Sequence, residues 1–161
     1  MSVSVKKLLK KSDLLNMNPH NLPSLSDFKY RHDLQIRFSD VDVLGHVNNT
    51  VYLAYYDTGK AWFFSEIHER IIEWQRVETV IANIDCCYVN PTFFGEEIEV
   101  FTRCESISEK SFKVLQVIAT KNTGQIKSAC ETVMVCFDPM SQKSMPVPDH
   151  WRAALEKSMK K

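Results

Sequence analysis

An α+β fold, in which an antiparallel sheet packs against one long helix, is predicted by three features of the sequence. Residues 50–70 contain no proline and carry apolar side chains at helical spacing. Four stretches rich in β-branched and aromatic residues follow, with turn residues between them. In one of these stretches Ile98 and Val100 alternate with Glu97 and Glu99, so the apolar face of that strand should pack on the helix.

Length and charge narrow the class of protein. The 161 residues suit a single domain with one core, and the 20 Lys and Arg balance the 20 Asp and Glu. A chain without net charge has no overall field to attract nucleic acid or an anionic membrane. No apolar stretch approaches the ~18 residues that span a bilayer. We therefore expect neither nucleic acid nor a membrane as a partner.

The five cysteines are expected to be reduced thiols. They include no C-x-x-C pair and no His at zinc-ligand spacing, and the neighbours Cys86 and Cys87 would point to opposite faces of a strand. This pattern favours neither a metal site nor a disulfide. Lysines interrupt the apolar residues of the N-terminus, so the stretch lacks the apolar region of a secretory signal. A cytoplasmic location is the resulting expectation.

The two ends of the chain are assigned from their composition. Residues 1–29 contain two prolines among scattered polar residues, and we predict a surface extension with a short helix over residues 3–15. Residues 30–161 are predicted to form the folded domain. This domain should begin with a strand over residues 34–38, where apolar and polar side chains alternate, and should end with a helix after Pro148.

The long helix should begin after Asn49, because an Asn side-chain oxygen can accept from the first amides of a helix. Its apolar residues lie nearly all round, which predicts that other elements surround it. The strands are predicted as consecutive hairpins over residues 77–89, 96–107, 111–120 and 125–137. The last strand is apolar on both faces. Besides the helix we therefore expect a second copy of the chain to pack there, in a homodimer or homotetramer.

The residues that suggest chemistry lie between the first strand and the long helix. Residues 37–49 bring two carboxylates, an imidazole and two amides into one loop, and such clusters often mark sites. Amides at a helix start could stabilise an oxyanion, while a carboxylate activates water or attacks an acyl carbon. This combination favours acyl transfer to water. The alternative is structural, with Asp40, Asp42 and both Asn residues in turns and caps. A metal role for the D-x-D pair is disfavoured, because the chain has no nucleotide-binding βαβ pattern.

The same loop carries a recognisable motif. Residues 37–49, with the tyrosines and the aspartate of the following helix, resemble the signature of the hot-dog-fold acyl-CoA thioesterases of the 4-hydroxybenzoyl-CoA thioesterase type, including the YbgC-like branch. Residues 87–91 with Gly95-Glu96 resemble the strand-turn-strand element of that family. The resemblance covers roughly residues 34–137. It implies a curved antiparallel sheet wrapped around one long central helix. It also implies hydrolysis of acyl-CoA with no bound cofactor, coenzyme A being part of the substrate.

The resemblance further implies roles for four residues. Asp42 falls at the position of the family's catalytic carboxylate, which acts as general base or nucleophile. His46 and Asn49 match positions that line the same pocket and would bond the thioester oxygen, the attacking water or Asp42. Asp57 falls where the family often has a helix glutamate and is a second candidate for the base. Asp40 is expected to form a turn.

Two departures and two rival functions accompany this interpretation. Gly59 and Lys60 stand where many relatives have Ala and Arg. Gly costs a helix about 1 kcal/mol relative to Ala, which is tolerable if the sheet approaches closely there. The rivals are a non-catalytic acyl-CoA-binding module and an acyl-thioester dehydratase or hydratase. The presence of Asp42, His46 and Asn49 argues against a non-catalytic binding module. A dehydratase or hydratase differs because its acid-base groups must lie over Cα and Cβ of the acyl chain, whereas hydrolysis needs them at the carbonyl carbon.

Overall fold

The computed structural model describes residues 17–69 and 78–160. The helix predicted over residues 3–15 lies outside them. The described residues contain two α-helices, α1 (Val51–Ile67) and α2 (Asp149–Met159). Six strands accompany them: β1 (Tyr30–Leu34), β2 (Thr79–Tyr88), β3 (Ile98–Ile107), β4 (Ser111–Thr120), β5 (Ile126–Asp138) and β6 (Lys143–Ser144).

The main sheet is antiparallel in the order β1-β3-β4-β5-β2, and β6 pairs with the end of β5. The consecutive hairpins of β3, β4 and β5 confirm the prediction, and β4 has the predicted bounds. The prediction that β2 forms a hairpin with β3 was wrong. Residues 89–97 are too long for a tight turn and instead carry the chain across the ends of β5 and β4, so that β2 lies at the far edge.

The first strand lies earlier in the chain than predicted. It pairs with β3 from Tyr30, opposite Thr102, to Leu34, opposite Ile98. Because β3 begins at Ile98, no partner residue is left in that strand beyond Leu34, and the predicted strand over 34–38 was wrong. Phe38 lies instead in a short 3-10 helix and is 84% exposed. The alternation of apolar residues there does not reflect sheet pairing.

Helix α1 packs against the concave side of the sheet. Its residues Tyr52, Tyr55 and Tyr56 share a buried cluster with Ile98 and Val100 of β3, which confirms the helix-facing side predicted for that strand. The sheet approaches closest at Gly59. A Cβ atom built there would lie 2.7 Å from Val100 Cγ2 and 2.8 Å from Gln116 Nε2, so only glycine fits this contact.

The helix is not surrounded, contrary to the prediction from its all-round apolar sequence. A stripe that includes Leu53, Asp57 and Trp62 remains exposed, and Trp62 is 48% accessible. The physical reason is geometric, because a half-barrel of strands covers only one side of a helix. The side of α1 that the sheet does not cover and the edge strand β2 therefore remain exposed to solvent.

The convex side of the sheet is covered in part by the chain's own N-terminal segment. The Met17 amide donates to Asp85 Oδ2 on β2 (3.0 Å), and Phe28 packs edge-to-face on Phe101 of β3. Between them Leu22 and Leu25 pack on the apolar cluster of this face. Ile126 and Ala129 of β5 belong to this cluster, so the chain itself covers part of the second face of β5, while the oligomer expected from the two apolar faces stays a prediction.

The C-terminal helix is present after Pro148, as predicted, and it closes one end of the core. Trp151 and Leu155 of α2 are buried in a cluster with Phe64 of α1 and Phe112 of β4. The Trp151 and Phe112 rings stack at a centroid distance of 5.8 Å. Within residues 17–69 and 78–160, neither helix has the length and apolar character needed to cross a membrane.

Candidate active site

The loop that precedes α1 is a tight reversal around Gly45. The Asp42 amide donates to the His46 carbonyl (3.1 Å), and the Gly45 amide donates to the Asp42 carbonyl (3.0 Å). A bridge between Val41 and Val47 closes the reversal. Gly45 has φ of +82°, a left-handed conformation that favours glycine. The motif glycine thus allows the turn that brings Asp42 and His46 to the same end of the loop.

The carboxylate of Asp42 is held by one hydrogen bond on each oxygen. Oδ1 accepts from the Leu44 amide at 2.9 Å, and Oδ2 accepts from the side-chain nitrogen of Asn48 at 3.0 Å. The residue is half-buried. Both donors are neutral, and they set the orientation of the carboxylate, which makes no ion pair with a cation among the described residues. Such a group can accept a proton from water or attack an electrophilic carbon.

The start of α1 is organised by Asn48 rather than by Asn49. Asn48 Oδ1 accepts from the Thr50 amide at 3.0 Å and from the Thr50 hydroxyl at 2.7 Å, and its carbonyl accepts from the Val51 amide. The prediction of Asn49 as the N-cap was therefore wrong. Asn48 lies two residues before Thr50, the spacing at which an Asn side chain reaches a backbone amide. This leaves the Asn49 side chain free of the capping role.

A cavity of about 360 Å³ lies between this loop, the first turn of α1 and the segment after β2. Its lining includes three of the four predicted site residues, Asp42, His46 and Asn49, together with Tyr52, Tyr88 and Pro91. The Tyr88 hydroxyl donates to the Asn49 carbonyl at 2.8 Å and so joins the edge strand to the helix start. His46 Nδ1 lies 3.3 Å from the Val47 carbonyl. The structure thus brings a carboxylate, an imidazole and a helix start together around one space.

Asp57, the fourth predicted site residue, lies outside this cavity. Its side chain is 62% exposed, and its Oδ1 pairs with the buried ammonium of Lys60 at 2.9 Å. The pair is local, since the two residues are three apart on α1. The two candidate carboxylates therefore stand in different surroundings within the chain: Asp42 faces the cavity, while Asp57 balances a lysine.

Asp40 has the structural role expected for it. Its Oδ2 accepts from the Arg37 amide at 2.8 Å and from the Tyr55 hydroxyl at 2.7 Å. The pKa of the Tyr55 hydroxyl is raised, first by burial and then by this bond to a carboxylate. Tyr55 therefore stays a proton donor to Asp40. The bond ties the loop that precedes the site to the second turn of α1.

The opposite wall of the cavity is held by a buried lysine. Lys127 on β5 is 2% exposed, and its ammonium donates to the Pro91 carbonyl and to Glu96 Oε1, both at 2.8 Å. Glu96 Oε2 in turn accepts from the Phe93 amide at 2.8 Å. These bonds close residues 91–96 into a fixed loop.

The same loop is joined directly to the side of the cavity that carries Asp42 and His46. The Thr92 carbonyl accepts from the Val47 amide at 2.8 Å, and the Thr92 hydroxyl accepts from the Tyr52 hydroxyl at 2.9 Å. The position of this loop therefore sets the distance between Pro91 on one wall and His46, next to Val47, on the other.

Among the described residues, no group of three or more His, Cys, Asp or Glu side chains is placed to hold a metal ion. The phosphates of coenzyme A would need cationic side chains, for which the sequence offers Lys110, Lys113 and Lys121 around the hairpin turns. Two of these three lysines are already in ion pairs. Lys113 lies 3.1 Å from Glu131, and Lys121 lies 2.8 Å from Asp33. A phosphate at either lysine would compete with a carboxylate.

Three residues that organise the site were not among the site residues predicted from the sequence. Asn48 orients Asp42, Tyr88 bonds the start of α1, and Lys127 fixes the facing loop. A signal for Asn48 was present in the Asn48-Asn49 pair, and Tyr88 stands within the strand-turn-strand element. Lys127 carried no signal, because a lysine in a strand is ordinarily read as solvent-facing.

Comparison with known proteins assigns the class. Residues 36–155, about three-quarters of the chain, match the family model described as the thioesterase-like superfamily. The chain therefore belongs to this superfamily. The resemblance inferred from residues 37–49 is confirmed, as is the fold it implied, a curved antiparallel hot-dog sheet on one long central helix.

Particular relatives agree with this assignment. The long-chain acyl-CoA thioesterase FadM of Escherichia coli strain K12 is 25% identical over 130 residues, which cover 79% of this chain and 97% of that protein. A thioesterase from Thermus thermophilus, solved with coenzyme A and Zn, is 26% identical with a TM-score of 0.71, over 80% of this chain and 98% of that one. A predicted thioesterase from Bacillus stearothermophilus is 24% identical with a TM-score of 0.74, over 82% and 97% of the two chains.

Proposed function

We propose that this protein hydrolyses acyl-CoA thioesters in the cavity between the loop of residues 42–49 and the segment after β2. The observation that carries the proposal is the Asp42 carboxylate, oriented by Leu44 and Asn48 and facing the same cavity as the start of α1. Membership of the thioesterase-like superfamily and the similarity to the acyl-CoA thioesterase FadM support it.

In this proposal the first turn of α1 activates the thioester carbonyl towards attack. The bonds at the helix start use the amides of Thr50, Val51 and Leu53. The Tyr52 amide is not used by these bonds and lies at the end of the helix where the dipole is positive. In the proposed mechanism it polarises the thioester carbonyl and stabilises the oxyanion that forms there.

Asp42 provides the attack on that carbonyl, through water or directly. It either accepts a proton from the attacking water or attacks the carbonyl carbon itself, to give an anhydride that water then opens. In both routes the carbon–sulfur bond breaks, coenzyme A leaves as the thiolate and takes a proton, and the acyl group leaves as a carboxylic acid. His46 and Asn49 would bond the water or the thioester oxygen from the same wall.

The reaction as proposed needs no resident cofactor or metal. Incubation with a panel of acyl-CoAs should release free thiol, and prior dialysis against EDTA should leave the rate unchanged, because a carboxylate and backbone amides perform each step. The dehydratase alternative is measured in parallel as hydration of an enoyl-CoA. Absence of thiol release across the panel, with or without added divalent metal, would reject hydrolysis.

We further propose that the chain is a homo-oligomer assembled through β2. This strand is an edge of the main sheet and exposes Val80, Ile81, Ile84 and Tyr88, each between 38% and 47% accessible. Unpaired edge strands with apolar side chains favour pairing with another strand. Since Tyr88 also lines the cavity, a second copy on this edge would complete one wall of the site. The five free cysteines fit a reducing compartment such as the cytoplasm.

Sedimentation at micromolar concentration should therefore give a species of at least twice the 18.6 kDa chain mass. Ile81→Lys should shift the equilibrium towards monomer, because it places a charge on the paired edge. Met140→Lys is the matched control, since Met140 is 91% exposed in the turn before β6, and it should leave the mass unchanged. A fully active monomer would contradict the assembly.

A further inference from the structure

Two cysteines on neighbouring strands lie directly opposite each other. Cys86 of β2 pairs in register with Cys130 of β5. The Val89 amide donates to the Lys127 carbonyl, so residues 89 and 127 form a hydrogen-bonded pair. Hydrogen-bonded and non-hydrogen-bonded pairs alternate along an antiparallel ladder. Cys86 and Cys130 lie three pairs away from residues 89 and 127, so they form a non-hydrogen-bonded pair, in which Cα atoms are about 4.5 Å apart and side chains lie closest. That separation falls within the range that a disulfide spans.

The side chains already point at each other. Both cysteines lie on the helix-facing side, in or against the cluster that holds Tyr56, and their Sγ atoms are 2.7 Å apart. A disulfide bond is about 2.05 Å long. Small side-chain rotations therefore suffice to join the two sulfurs, and the backbone pairing of β2 with β5 can stay as it is.

We propose that Cys86 and Cys130 form a reversible intramolecular disulfide by exchange with a low-molecular-weight disulfide such as oxidised glutathione. The Cys86 thiolate attacks one sulfur of glutathione disulfide, a mixed disulfide forms, and one glutathione thiolate leaves and takes a proton. Cys130 then loses its proton and attacks Cys86 Sγ, which releases the second glutathione. The two cysteines lose two electrons, and glutathione disulfide is reduced to two thiols.

The surroundings favour Cys86 as the attacking sulfur. It is the partly exposed member of the five, while the other four are buried. Its pKa is lowered, first by the hydrogen bond with Cys130 and also by the ammonium of Lys60. Burial raises the pKa of Cys104 to about 12 and that of Cys136 to about 11. Exchange should therefore start at Cys86, since the thiolate is the reactive form.

The neighbouring thiol, Cys87, cannot replace Cys86. It lies on the convex side of β2, in the cluster with Phe101 and Leu115, and burial raises its pKa. Adjacent residues of a strand point to opposite faces. The pairing is therefore specific to Cys86 and Cys130, and Cys87 serves as a sequence-matched control.

The disulfide would attach the edge strand β2 covalently to β5. β2 carries Tyr88, which bonds the Asn49 carbonyl at the cavity, and its other side has no strand partner within the described sheet. The disulfide connects positions 44 residues apart, so it restricts the unfolded chain and should raise Tm by several degrees. This inference rests on strand register and thiol placement, and it does not depend on the proposed hydrolysis.

The test uses the full chain incubated with oxidised or with reduced glutathione. After oxidation the intact mass should fall by two hydrogen atoms, mapping of peptides without reduction should join Cys86 to Cys130, and Tm should rise. Dithiothreitol should reverse all three changes. Cys86→Ser and Cys130→Ser should abolish the cross-link, while Cys87→Ser should retain it.

Several results would overturn the proposal. No cross-link in the wild-type chain, a stable glutathione adduct on Cys86, or the same loss of mass in Cys86→Ser would each do so. Peptide mapping of the wild-type chain needs no variant, so the conclusion holds even where a substitution impairs folding. Cys136→Ser provides a second control, because Cys136 lies on the helix-facing side of β5 without an opposing cysteine.

Discussion

Replacing Asp42 with Asn should lower kcat by a factor on the order of 10² or more with a modest change in KM. Asn keeps the size of the side chain, so the turn around Gly45 should persist. The substitution removes the negative charge that activates water or attacks the thioester carbon. The measurement is thiol release under saturating acyl-CoA, with the folded state checked by Tm. A variant that keeps most of its kcat would remove Asp42 from the mechanism.

Asp57→Asn is the matched comparison, because it makes the same change at the second candidate carboxylate. Asp57 lies outside the cavity and pairs with Lys60, so we expect a smaller loss of kcat than for Asp42→Asn. If Asp57 only orients the attacking water or His46, and so acts through the step that Asp42 performs, the double variant should lose little beyond Asp42→Asn alone. A larger loss at Asp57 would reverse the assignment and make the helix carboxylate the base.

Replacing Lys127 with Met should lower the free energy of unfolding by about 2 kcal/mol, because the Pro91 carbonyl and Glu96 Oε1 lose the buried ammonium that bonds both. For a domain of this size the Tm should fall by roughly 4 to 8 °C. Met fills a volume similar to that of Lys, so the lower free energy of unfolding would come from the missing ammonium and not from a cavity. Since the loop of residues 91–96 bonds Val47 and Tyr52, kcat/KM should also fall by about tenfold.

Lys121→Met is the control for this prediction. Lys121 also pairs with a carboxylate, Asp33, but both side chains are substantially exposed, and exposed ion pairs contribute little. Its Tm should change by less than a degree or two. An unchanged Tm in Lys127→Met would show that the buried ammonium does not stabilise the loop. A lowered Tm with unchanged kcat/KM would show that the loop does not position the site.

Local signals in the sequence were sufficient for several elements. The helical spacing of apolar residues located α1 within one residue at its start, and alternation with turn residues gave β4 its observed bounds. The motif of residues 37–49 identified the superfamily, and three of its residues, Asp42, His46 and Asn49, line one cavity. These features depend on neighbours in the chain, whose periodicity and turn chemistry are directly visible.

The predictions were wrong where two different arrangements of the chain are compatible with the same local sequence pattern. Asn48 and Asn49 are both of a type that caps helices, but α1 has Thr50 at its N-cap position, and it is Asn48 that bonds the Thr50 amide. A strand after the long helix can pair with the next strand or with a later one, and β2 pairs with β5. Leu34 begins an alternating stretch, yet pairing stops there because β3 starts at Ile98.

The sequence alone determined the composition of the site: a loop with one glycine reversal, a carboxylate, an imidazole and the start of a long helix. The tertiary structure decided which groups meet. It placed Asp42 in the cavity and Asp57 beside Lys60, covered part of the convex face of the sheet with residues 17–28, and buried Lys127 under the facing loop. Local geometry follows from a few adjacent residues, whereas these contacts join residues far apart in sequence. They exist only once strand order and packing have brought both partners together.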